Sequence, residues 1–487
     1  MKQRGRHRRR RRGRALRAAL AGAGLALTAA ATLISASQAT VTDDPGALRP
    51  VTSSAELAGL RLTEQPFPRP LTDRLAAATG RPVAVDAVLR SADRTLRTED
   101  ACTADERKAL PVEPAVTRAY CWDAADTAGR GWRPESVTTS GDAEADGLWG
   151  GHRLLLSGWT HRGGADGDLA RVAFVNADDP DRLTYTWALL TVPSPGGGLR
   201  ALASRVSGMA WYGDKLLVTA SGADHDALFV YDLHRIYDLR RTAHPTVASA
   251  ASGAVGRAPG GRSAPGYQSA PGHQSASGHR WASGYRWALP AVAAYRPARG
   301  TCAGPARAPG SDAQAGEAAV GPSASGPPCP DGLSVDRSSL PNSLVASETS
   351  PRGSGRHTRL WRYAFSTDPA RAGLLAADSA GTAAAVEAYD SKADGVRGVL
   401  SHRTGPTGRA AWYLGRTAGR PGERGALWRQ DLGGAVARAC GSFGDARRCW
   451  GDGAGSLSYW EGTGELWSLS GQTLFAVPLS ALDRGSR

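Results

Sequence analysis

Glu135, Asp336 and Asp394 occupy comparable places along this chain. Each lies in or just before a short β-like segment leading into a longer apolar strand: ESVTTS from Glu135, LSVDRS from Leu333 and GVRGVLSH from Gly395. Ser207, heading SGMAWY, holds a fourth such place. If these segments converge on one axis, their first residues present hard oxygen atoms, the ligand type that calcium requires. A carboxylate beside a bound metal can also serve as base in lactone or ester hydrolysis. The competing account is turns at strand starts with solvated carboxylates. Asn176, Asp178, Asp179 and Asp181, around Pro180, form a second acidic group, but Asn and Asp side chains in turns bond their own backbone and explain the same residues. His152, His161, His225, His234 and His402 lie in or beside expected strands without metal-ligand spacing and read as surface or packing residues. The chain has no G-x-S-x-G nucleophile elbow, no H-E-x-x-H, no P-loop and no dinucleotide fingerprint before a helix.

Repetition is what must position these groups. An aliphatic strand, a polar turn and a second apolar strand recur: DKLLVTAS (from Asp214) with ALFVYDL, HRLLLSGW (from His152) with LARVAFV, NSLVASE (from Asn342) with TRLWRYAF, AAWYLGR (from Ala410) with GALWRQDL, and GELWSLS (from Gly464) with TLFAVPL. The longest interval contains WALPAVAAYRP (from Trp287), which echoes WALLTVP (from Trp187), so it holds one interrupted repeat rather than two. Adding the short leading segment and the W-A-L element gives three to four strands per repeat, the construction of propeller blades. The expectation is an all-β propeller of five blades over residues 132–487, with a sixth left open at residues 83–89. Trp149, Trp159, Trp187, Trp211, Trp361, Trp428, Trp460 and Trp467 recur at equivalent strand positions and are read as packing between blades rather than as sugar-stacking platforms.

The formal charge of +14 does not point to nucleic acid, because Lys2 and nine arginines fall within residues 1–39, and without these ten charges only +4 remains. Arg8 to Arg12 followed by an Ala-rich apolar stretch has the form of an export signal, with a small-x-small cleavage site at Ser37-Gln38-Ala39. Secretion after cleavage near Ala39 is expected, with no stable membrane insertion, since no other stretch has the ~20 apolar residues that span a bilayer. In that compartment an even cysteine count favours disulfides, paired locally as Cys102 with Cys121, Cys302 with Cys329, and Cys440 with Cys449. Residues 40–131 read as a small, partly helical or irregular N-terminal region; Thr103-Ala104-Asp105-Glu106 is a capping box. The propeller is interrupted by an Ala/Gly/Ser/Pro-rich insertion at 246–286, expected to be disordered, and by a loop at 303–332.

WRPESVTTSGDAEADGLWGGHRLLLSGW, SGMAWYGDKLLVTASG with LFVYDL, and LSVDRSSLPNSLVASE together resemble the uncharacterised secreted propeller-like proteins of actinomycetes. That resemblance implies a scaffold and no particular activity. Pro134-Glu135 is similar to the Pro-Glu pair of gluconolactonase-type calcium lactonases, which also use a tunnel asparagine; here Asn342 falls at the turn beyond the inner strand. The expected function is therefore non-catalytic binding of an extracellular protein or glycan by a monomer without a cofactor. The alternative is a calcium-dependent lactonase- or esterase-like hydrolase, with Ca2+ held in the central tunnel by Glu135, Asp336 and Asp394.

Overall fold

The computed structural model describes most of residues 44–483. Outside the described set are 1–43, 249–283, 303–325, 438–448 and 484–487, with shorter stretches within 69–79, at 128–130, 165–166, 195–197, within 220–226, at 242–246, 351–355, within 404–409, at 419–422, and residues 452 and 454. The export signal, most of the 246–286 insertion, most of the 303–332 loop and Cys440 therefore lie outside it. Gly46–Arg487 forms one compact unit, mostly β with few short helices.

Strand β1 (Arg118–Cys121) precedes an antiparallel meander of β2 (Trp132–Thr139), β3 (Leu154–Gly164), β4 (Gly167–Asn176) and β5 (Thr184–Pro193). A second follows as β6 (Met209–Tyr212), β7 (Lys215–Thr219), β8 (Leu228–Asp232) and β9 (Trp287–Pro297). The third is β10 (Gly332–Asp336), β11 (Ser343–Ser347), β12 (Thr358–Ala364) and β13 (Glu387–Ser391). The fourth is β14 (Val396–Arg403), β15 (Ala410–Arg416), β16 (Ala426–Asp431) and β17 (Gly434–Ala437). The last contains β18 (Leu457–Trp460), β19 (Glu465–Ser470) and β20 (Thr473–Pro478), and its fourth strand is β1, paired through Thr473 with Cys121 and Leu474 with Tyr120. The two W-A-L segments are the outer strands of the first and second meanders, and they pair in parallel, Trp287 opposite Ala188 and Leu289 opposite Leu190. This joins the two meanders into an eight-stranded path that nearly closes as a barrel, since its ends, β6 and β2, meet where Trp211 N donates to Thr138 Oγ1 at 3.2 Å.

The apolar runs are continuous rather than alternating because most strands are covered on both faces. Successive side chains of one strand enter different cores. In β7, Leu216 and Val218 pack toward the first meander with Leu156, Val172 and Phe229, whereas Leu217 packs toward the third with Val230, Leu333, Leu344 and Trp361. Val345 of β11 turns away from that core into another, with Val399, Trp412 and Trp428 of the fourth meander. Leu400 and Tyr413 then meet Leu457, Leu466 and Phe475 of the last sheet. On its other side that sheet sends Trp467, Leu469 and Leu474 against Val137, Leu155 and Trp159 of the first. Apolar layers thus lie between successive meanders, and between the last strand set and the first.

The leading strands β2, β6, β10, β14 and β18 also touch in that cyclic order. Glycine is needed where they approach most closely: a Cβ on Gly208 would sit 2.8 Å from Leu333 N, and one on Gly398 2.5 Å from Gly455 O. At one end of these strands the helical turn Ser140–Ala143, wholly buried, lies against β2, β6, β10 and β18.

The stretch before β1 contributes to the same body. Leu62–Pro66 pairs with β9, Arg49–Pro50 with β13, and Arg97–Thr98 with β1. Short helices occupy Ser54–Gly59 and Ala104–Lys108, the latter closed by the expected capping box, with Glu106 N 3.2 Å from Thr103 Oγ1 and Thr103 N 2.7 Å from Glu106 Oε2. Residues 83–89, the candidate sixth repeat, form a bridge between Val83 and Ile236 and the helix Val85–Leu89 instead of a strand set. Disulfides join Cys102 to Cys121 and Cys302 to Cys329, with Cα separations of 5.7 and 5.3 Å. Cys449 is buried, and Cys440 lies outside the described residues. Among the described residues no helix is long and apolar enough to cross a membrane.

Candidate functional site

The leading strands open, at the end away from the Ser140–Ala143 turn, onto a polar cleft of about 340 Å³. Two β-bulges aim side chains into it. In β2, Pro134 pairs with Trp159 and Ser136 with Gly158, which leaves Glu135 as the extra residue; in β14, Val396 pairs with Arg416 and Gly398 with Gly415, which leaves Arg397. A bulged residue departs from strict alternation, so it can point where the strand's pleat would not send it. Arg133, Arg205, Ser207, Thr417 and Gln472 complete the polar lining, and Gly453, Gly455 and Gly471 bring backbone to the rim.

Charge in the cleft is largely paired. Arg205 Nη2 and Nε reach Glu135 Oε2 at 2.9 and 3.1 Å. Arg397 Nη1 lies 3.3 Å from Asp331 Oδ2, and the Ser207 hydroxyl donates to Asp331 Oδ1 at 2.5 Å. Burial alone would raise the Asp331 carboxyl, but the Arg397 charge, hydroxyls from Ser207 and Thr349, and Arg205 outweigh it and hold the group below its ordinary value. A carboxylate so stabilised is a weak base, and among the described residues no histidine or lysine lines the cleft to activate Ser207. Arg133 is exposed and, like Gln472, makes no hydrogen bond or ion pair through its side chain with another described residue.

The three carboxylates singled out in the sequence do not share this place. Only Glu135 lines the cleft. Asp336 closes the far end of β10, five residues and about 17 Å along the strand from the cleft-side Asp331. It is 1% exposed, with Arg362 Nη1 3.1 Å from Oδ2 and Ser338 N 2.8 Å from Oδ1. Asp394 is engaged by Arg416 through Oδ1. The oxygens of the three do not come within 4.8 Å of one another, the spacing at which they could share an ion; the described group that does meet it, Cys102, Glu106 and Cys121, contains a disulfide. The structure does not bring the three together, and each holds its own guanidinium.

Asn342 lies in the turn between β10 and β11, with its amide 3.0 Å from the Tyr212 hydroxyl. The acidic group near Pro180 caps its own turn, Asp178 N to Asn176 Oδ1 at 2.8 Å and Asp181 N to Asp179 Oδ1 at 3.0 Å. Asp178 also accepts from His152, whose other nitrogen is 3.0 Å from Asp86; hydrogen bonding to Asp178 raises the imidazole pKa. The recurrent tryptophans are buried between sheets. Trp132 and Trp187, with Trp159 beside them, close over the guanidinium of Arg171 at 4.1, 3.6 and 5.2 Å, so this aromatic cage is filled by the chain's own cation.

Arg133, Arg205, Arg397 and Gln472 of the lining, and Asp331 behind it, do not stand out in the sequence. The one signal for them was the position immediately before or within each leading strand, which for β10 selects Asp331 once the strand's start is placed correctly. Compared with known proteins, the chain matches no family model and no curated protein.

Proposed function

We propose that this chain is a secreted five-bladed β-propeller that binds an extracellular glycan in the cleft at one mouth of its ring. The apolar layers between successive meanders, and between the last strand set and the first, support the blade count, and the joining of β1 to β18–β20 is the usual need of a propeller to tie its first and last blades. The basic, apolar N-terminal stretch and the disulfides support export. The observation that carries binding over catalysis is the cleft's own chemistry: residues in or just before four of the five leading strands converge there, its carboxylate Glu135 is tied to Arg205 and the neighbouring Asp331 to Arg397, and it keeps a guanidinium and an amide that no other described residue engages. Such a surface offers hydrogen bonds and charge to a ligand without an activated nucleophile.

The test is retention of the purified protein on an immobilised panel of extracellular glycans, beside an Arg133→Ala/Gln472→Ala double variant. Retention of the wild type and its loss in the variant are expected. Equal retention of both places binding elsewhere on the molecule, and retention of neither overturns the reading.

A further inference from the structure

The charge balance of the cleft narrows its ligand. Among the described residues, Arg205 is bonded to Glu135 and Arg397 to Asp331 just behind the lining, which leaves Arg133 as the lining guanidinium that no described carboxylate engages. A guanidinium presents a rigid planar fork that matches a carboxylate through two parallel N–H···O bonds. The free Gln472 amide can both donate to and accept from a hydroxyl. A phosphate dianion would call for a second unanswered cation, which the described lining does not offer. A peptide would bring apolar side chains, and among the described residues of the lining Pro134 is the only apolar one. A polyhydroxylated monoanion satisfies both constraints, and the volume of about 340 Å³ is at the small end of ligand pockets, suited to one or two sugar units.

We propose that the cleft recognises a hexuronate unit of an acidic glycan, with Arg133 binding the carboxylate and Gln472 a neighbouring hydroxyl. This deepens the glycan-binding reading and rests on it.

Calorimetric titration of the purified protein with D-glucuronate, D-glucose, acetate and inorganic phosphate, each to ~10 mM, tests the proposal. Saturable binding of glucuronate is expected, with glucose and acetate each weaker by about tenfold or more. Added salt should weaken glucuronate binding and leave any glucose binding unchanged. Arg133→Ala should abolish the preference for glucuronate over glucose, and Arg133→Lys should keep only part of it, since the charge stays and the fork is lost. Arg133 is exposed and unengaged, so both variants should melt with the wild type. Glucose binding as tightly as glucuronate would overturn the carboxylate assignment and leave glycan binding standing. Acetate equal to glucuronate, or phosphate tighter than it, would overturn the hexuronate assignment, and no binding by any probe would overturn both readings.

Discussion

Asp142 offers a prediction whose size follows from its surroundings. The residue is 1% exposed in the buried turn beside the leading strands, and its Oδ2 accepts from the Thr138 hydroxyl at 2.7 Å, the Ser458 hydroxyl at 2.5 Å and Thr139 N at 3.3 Å. Burial pushes its pKa up from 3.8 to about 6, against the pull of those three donors and of Arg337. Between these two values the folded chain holds a proton that the unfolded chain has released, so stability falls as pH rises through that window. A rise of about two pH units corresponds to about 3 kcal/mol, lost by about pH 7 and fully regained below about pH 3. Asp142→Asn keeps the shape and removes the titration. Denaturant unfolding of both proteins across that range should show the variant gaining on the wild type by about 3 kcal/mol from the acid end to neutral. If the new amide lacks an acceptor, the variant is offset equally at every pH and the slope survives. A difference independent of pH would refute the reasoning.

Replacing Cys102 and Cys121 together by Ser frees a loop with a sequence separation of 19, and the chain-entropy account gives a loss of about 3 kcal/mol, read by denaturant unfolding. Full stability in the double variant would show that β1 is held without the bridge. Gly398→Ala places a Cβ 2.5 Å from Gly455 O between two leading strands and should cost about 1–3 kcal/mol by the same measurement; a neutral outcome would mean the strands are not so close. Because Glu135, Asp336 and Asp394 are each bound by an arginine, saturating calcium should leave the melting temperature unchanged, and a rise would point to a metal site.

The five hairpins and the short segments ahead of them were legible because each strand is an apolar run between polar turns; β7 and β8, for instance, are DKLLVTAS and ALFVYDL almost unchanged. The W-A-L echo also carried real information, since Trp187 and Trp287 lie in outer strands that pair with each other. β1 was not legible. Its apolar run, Ala119 to Trp122, is short and stands apart from the repeats, and it is a strand because the edge of β20 receives it, at a separation of some 350 residues along the chain. The cleft was half legible. Glu135 was found because it opens its segment, but β10 begins at Gly332, so the cleft-side carboxylate is Asp331 and the equally acidic Asp336 falls at the other end. Its arginines were hidden by composition: only four of the 59 basic residues are lysine, so no single arginine stands out, and the bulge that aims Arg397 depends on the register with β15.

The most direct test of the account is the crystal structure of the protein soaked with D-glucuronate at neutral pH. The account predicts five blades in a closed ring, β1 in the last of them, and the sugar in the cleft with its carboxylate on Arg133. A ligand bound elsewhere, or a cleft in which Arg133 is answered by a carboxylate of the chain itself, would contradict it.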